Sequence, residues 1–157
     1  MSAAPADTSA PTSVVPGAAI PWVEIGPGVE MKLLRRGADN DVYSMLNRFA
    51  PGFEAPKHLH LGDVHGWTIQ GRWHYHEYDW YATAGDYIYE PPNSVHTLHV
   101  PEDNTEPTIA LFVIHKGMEL YDADGNVFMT QNAEGMQAIY RGALEAKGIP
   151  YPEAALP

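Results

Sequence analysis

The chain has 157 residues and a formal charge of −11, with no cysteine, 14 prolines, 14 glycines and nine tyrosines. That length gives one domain able to bury about two-thirds of its unfolded surface, and the missing cysteines exclude disulfides, thiolate metal sites and thiol nucleophiles. The acidic balance argues against nucleic acid and anionic membranes as partners, since both need concentrated Lys and Arg.

Residues 1–17 are rich in Ala, Pro, Ser and Thr and read as a low-complexity N-terminal arm. The arm lacks a basic stretch followed by an apolar one, so no secretory signal is expected and a cytoplasmic location is the default. No run of about 18 apolar residues is present to span a bilayer. Residues 20–25 read as an edge strand, because Pro21 cannot donate a ladder hydrogen bond.

From Val29 to His115 the chain alternates short β-type runs with turn signals. The runs are 29–35, 42–49, 53–59, 65–71, 72–81, 86–89, 95–100 and 108–115. Eight strands without an intervening helix predict an all-β barrel or sandwich. A hairpin follows over 120–128, with Asp124-Gly125 at its tip. The period then becomes helical through Met136, Ile139, Tyr140, Ala143 and Leu144, with Asn132 as N-cap and Gly148 as the stop. The expected organisation is an arm (1–17), a β-barrel (18–131), and a C-terminal helix and tail packed on it (132–157).

Two histidine-bearing segments carry the chemistry. The first runs from Gly52 through His58-Leu59-His60, and the second from Gly85 through Glu90-Pro91-Pro92-Asn93 to His96. Residues two apart on a strand share a face, so His58 and His60 present adjacent imidazoles and His96 supplies a third from another strand. Three neutral imidazoles form a site for a first-row transition metal.

The two segments closely resemble the paired motifs of the cupin superfamily, and the resemblance implies a jelly-roll barrel with a metal in its mouth. Gly52, His58, His60 and Gly71 fall at the first motif's spacing, and Gly85, Pro91 and His96 at the second's, with Asn93 in place of a glycine. The slot for the family's usual carboxylate ligand holds Val64. By register the site is therefore three histidines; if the turn slips by one residue, His65 becomes a fourth imidazole.

Over most of its length the chain also resembles the 2,4'-dihydroxyacetophenone dioxygenase family. That likeness implies a three-histidine iron(II) enzyme that cleaves an aryl hydroxyketone, or a β-dicarbonyl, with O2. Iron is the expected cofactor, with zinc, nickel, manganese and copper as alternatives, and a homodimer or homotetramer is the expected assembly. Glu90 is the first catalytic candidate, as a partner to a ligand or as an acceptor of the substrate's proton. Trp67, Arg72, His74 and His76 are candidates for the substrate pocket. The competing readings are an oxygen-independent metal-dependent isomerase or hydrolase, and a non-enzymatic metal-bearing sensor module.

Overall fold

The computed structural model describes residues 12–156, so most of the expected arm over 1–17 lies outside the described residues. A short 3-10 turn, Gly17–Ala19, leads into the barrel. The strands are β1 (Val23–Gly26), β2 (Val29–Arg36), β3 (Val42–Phe49), β4 (His58–His60), β5 (Val64–Gln70), β6 (Arg72–Tyr75) and β7 (Ala82–Thr83). They continue as β8 (Tyr87–Glu90), β9 (Val95–His96), β10 (Leu98–His99), β11 (Thr108–His115), β12 (Met118–Tyr121) and β13 (Val127–Gln131), before one helix, α1 (Ala133–Ala146).

A six-stranded antiparallel sheet has the order β1-β2-β3-β11-β5-β8, while β13-β12-β4-β9 and β10-β6-β7 form two smaller sheets. The insertion of β11 between β3 and β5 needs long crossings, as expected of a jelly roll. Strict alternation builds the core: β3 buries Tyr43, Met45, Asn47 and Phe49, and its partner β11 buries Thr108, Ala110, Phe112 and Ile114. Both strands span the residues that their alternation predicts.

Three expected strands are shorter in the structure. The run 53–59 contracts to His58–His60, because Pro56 has no N–H for a ladder and Ala55 instead donates to the Leu98 carbonyl at 2.9 Å. The run 72–81 ends at Tyr75, where the Tyr78 amide turns back onto the Tyr75 carbonyl at 3.1 Å. The run 95–100 divides, since β9 pairs with β4 while β10 crosses to β6.

The helix begins as its cap residue predicts: the Asn132 side chain accepts from the Gly135 amide at 2.9 Å. It ends at Gly148, whose φ is +68°. Met136, Tyr140 and Leu144 are buried, and the Tyr140 hydroxyl donates to the Pro21 carbonyl at 2.6 Å, which ties the entry segment to the helix. No helix among the described residues is long and apolar enough to cross a membrane.

Candidate metal centre

His58 and His60 lie on β4 with their side chains on the buried face, separated by the half-buried Leu59. Antiparallel pairing sets His96 of β9 directly opposite His58. The loop between β8 and β9 needs a positive φ at Asn93, observed at 66°, a conformation that asparagine tolerates better than most residues. That turn is locked to β4, since the Asn93 amide donates to the His60 carbonyl at 2.8 Å and the His60 amide to the Ser94 carbonyl at 3.0 Å. Each of the three imidazoles offers a ring nitrogen within 4.8 Å of the others.

Glu90 completes the cluster from an adjacent strand. Its register partner across β5 and β8 is Val64, so a carboxylate stands opposite the position that lacks one. Glu90 Oε2 lies 2.9 Å from His60 Nε2 and 3.5 Å from His96 Nε2, and the side chains of both Glu90 and His60 are 3 % exposed. At 2.9 Å the two groups are at ion-pair distance, though neither atom has a hydrogen-bond partner. The other carboxylate oxygen, Oε1, accepts from the Tyr75 hydroxyl.

Tyr75 also stacks on His96, with ring centroids 3.7 Å apart and planes 16° from parallel. One residue thus orients both a histidine and the carboxylate. Sequence reasoning missed it, although the parity of β6 carries the signal: Trp73 and Tyr75 share one face, His74 and His76 the other. Trp73 is fully buried, which fixes Tyr75 as an inward residue.

The donor set fits a metal. His58 Nδ1 is held by the Pro56 carbonyl at 2.9 Å, leaving Nε2 as its lone-pair nitrogen. Both ring nitrogens of His60, both of His96, and Glu90 Oε2 are buried with no hydrogen-bond partner. Each such orphan costs about 1–3 kcal/mol in an apolar core. A divalent ion held by one nitrogen of each imidazole would relieve that cost at those nitrogens and balance the buried carboxylate charge.

Electrostatics keeps His58 neutral. Burial first, and then the neighbouring His60, push the His58 pKa down from 6.5 to about 4. Burial alone would raise the Glu90 carboxyl, but His60 and His96 outweigh it and hold the group well below the usual carboxylate range. Burial and the Glu90 charge keep the Tyr75 phenol protonated far above its ordinary pKa.

His58 has a consequence for the metal-free protein. A histidine with a depressed pKa is neutral in the folded state while the unfolded chain takes up its proton, so stability is lost as pH falls from 6.5 through about 4. The expected loss from this one group is on the order of 3 kcal/mol. Denaturation midpoints of the metal-stripped protein, measured between pH 7 and pH 4, check this; a flat profile would contradict it.

His58, His60, Tyr75 and Glu90 border a cavity of about 630 Å³, whose walls include Met45, Phe49, Phe53 and Phe112. Asn47 is a polar interruption in that wall, at an inward position of β3 among Tyr43, Met45 and Phe49. It too was missed, and a polar residue in an apolar alternation was its signal. Tyr75 and Glu90 separate this space from a second cavity of about 230 Å³, which His96 lines.

The remaining candidates are not at the cavity. Trp67 lies on the outer face of β5 and is 51 % exposed. Arg72 pairs with Asp103 at 2.8 Å on the surface. His74 and His76 point outward from β6, because the inward parity there belongs to Trp73 and Tyr75. His65 also faces outward, beside Asp63 and Tyr87, while Val64 is fully buried, so the turn keeps the register without a slip.

A family model described as the ChrR Cupin-like domain matches residues 11–119 of the chain. A cupin-like protein of unknown function from Ralstonia eutropha JMP134 is 30% identical in sequence, with a TM-score of 0.81 over 88% of this chain and 89% of that one. An acetylacetone dioxygenase from Acinetobacter johnsonii superposes with a TM-score of 0.74 at 14% identity, covering 91% and 99% of the two chains. The Rhodobacter sphaeroides complex of SigE with the anti-sigma ChrR gives 0.51 at 18% identity, covering 69% and 71%. These last two likenesses concern the fold alone. No curated protein matches the chain in sequence.

Proposed function

The chain belongs to the ChrR cupin-like domain family, and from that premise we propose that it is a mononuclear non-haem iron(II) dioxygenase cleaving a carbon–carbon bond of an aryl hydroxyketone or β-dicarbonyl. The observation that carries this reading is the group of buried donors without hydrogen-bond partners at the wall of a mainly apolar cavity. His58, His60 and His96 hold the ion. Iron(II) held by that set would supply Lewis-acid and O2 chemistry toward a chelating substrate.

The protein's own groups do the rest. Phe49, Phe53 and Phe112 pack the organic part of the substrate and exclude water from the reacting end. Asn47 gives that wall a directional hydrogen bond to a substrate oxygen. Glu90 Oε2 takes the proton that the substrate loses on becoming an anion, while the Tyr75 hydroxyl fixes the other oxygen of the same carboxylate. For 2,4'-dihydroxyacetophenone the bond between the carbonyl and hydroxymethyl carbons breaks. Each product receives one atom of O2, giving 4-hydroxybenzoate, formate and two protons.

Oxygen consumption by protein reconstituted anaerobically with Fe(II) tests the proposal, first on 2,4'-dihydroxyacetophenone and then on acetylacetone. Uptake of one O2 per ketone lost is the expected result. Ketone consumption at an equal rate without O2 would replace it with an isomerase or hydrolase. No uptake and no ketone loss with iron bound would leave a metal-bearing sensor module.

A further inference from the structure

We propose that His74, His76 and His99, with Glu54, form a second divalent transition-metal site on the outer face of the barrel. Each of the three histidines offers a ring nitrogen within 4.8 Å of the others. His74 Nε2 and His99 Nδ1 are 3.2 Å apart, and His76 Nε2 lies 2.7 Å from Glu54 Oε2. Three imidazoles and one carboxylate are a donor set suited to zinc(II), nickel(II) or copper(II).

The layout repeats that of the inner centre. There, His58-x-His60 on β4 faces His96, the register partner of His58. Here, His74 of β6 and His76, one residue beyond its end, face His99, the register partner of His74. In both places a His-x-His pair meets a third histidine across an antiparallel ladder, where directly opposed side chains are close neighbours. The carboxylate also comes from outside the pair, since Glu54 bridges to His99 from the preceding loop.

The rings are held in place before any ion arrives. His76 and His99 stack at 4.8 Å with planes 26° apart, and His74 stacks on Tyr81 at 4.5 Å. Arg72 covers the Tyr81 ring at 5.1 Å, so the support of His74 is itself packed. An ion at this position would join β6, β10 and the loop carrying Glu54.

The test is a Zn(II) titration of the full chain stripped of metal, followed by calorimetry and by imidazole nitrogen–proton spectra. The His74→Gln/His99→Gln variant should bind one equivalent fewer than the parent chain, with an unchanged fold by circular dichroism. Counting by difference keeps the result independent of the inner histidines and of the separate group Asp63, His65 and His115. Glu54→Gln should weaken the same equivalent by about tenfold or more. In the parent chain the ring signals of His74, His76 and His99 should shift together on Zn(II) addition. Equal stoichiometry and affinity in the double variant, or three ring signals that do not move, would overturn the proposal.

Discussion

Replacing His96 with alanine is expected to leave a folded barrel that retains neither iron nor turnover. His96 is one of only three imidazoles in the inner donor set and comes from a different strand than the other two. Two histidines on β4 would bind from one side only, and the variant opens a space against Tyr75 where the ring had stacked. Changes to the supporting partners of metal ligands commonly cost about 10–100-fold in affinity, and loss of a ligand should exceed that range. Metal analysis after dialysis should therefore find iron reduced by more than about a hundredfold, and oxygen uptake should fall with it. The fold should survive, because alanine removes two buried nitrogens that have no partner in the metal-free protein. Undiminished oxygen uptake with unchanged iron content would sink the assignment of the centre.

Glu90→Gln carries the second large effect. The amide preserves shape and can still accept from the Tyr75 hydroxyl, but it cannot take a proton at the atom that faces His60 and His96. Turnover per bound iron should fall by about 10²–10⁴-fold, the usual contribution of a positioned acid or base. The three histidines should still take up iron, so the measurement is made at saturating Fe(II) and normalised to the metal bound. Normal turnover per iron would remove Glu90 from the reaction. Failure of the three histidines to saturate would instead make Glu90 a ligand.

Much of the inner centre was legible because its parts are local. The His58-x-His60 pair shares a face through strand periodicity alone, and the Gly, Pro and Asn residues around the turn before His96 have narrow backbone preferences. Strands β3 and β11 were legible for the same reason, since each is an eight-residue β-type run bounded by turn signals, with Asn47 and Thr108 the polar exceptions on the inward faces. The reading failed where a run of β-forming residues continued past a turn, as at Glu77-Tyr78-Asp79, which holds little more than its own composition to mark the break. The His74 and His76 pair has the same pattern as His58 and His60, and its place on the outer face was fixed only by packing.

The sequence by itself determined the kind of donor, the spacing within each strand, the turn that returns His96 and the cap of the final helix. Those properties rest on interactions between residues a few positions apart. Only the tertiary structure decided that His58 and His60 face the cavity while His74 and His76 face outward, because an alternating strand has two equivalent faces until another layer covers one. It alone set Glu90 of β8 opposite Val64 and close to His60 and His96. It also laid Tyr75 against His96 and Glu90, a contact made by strands that meet only when the barrel closes.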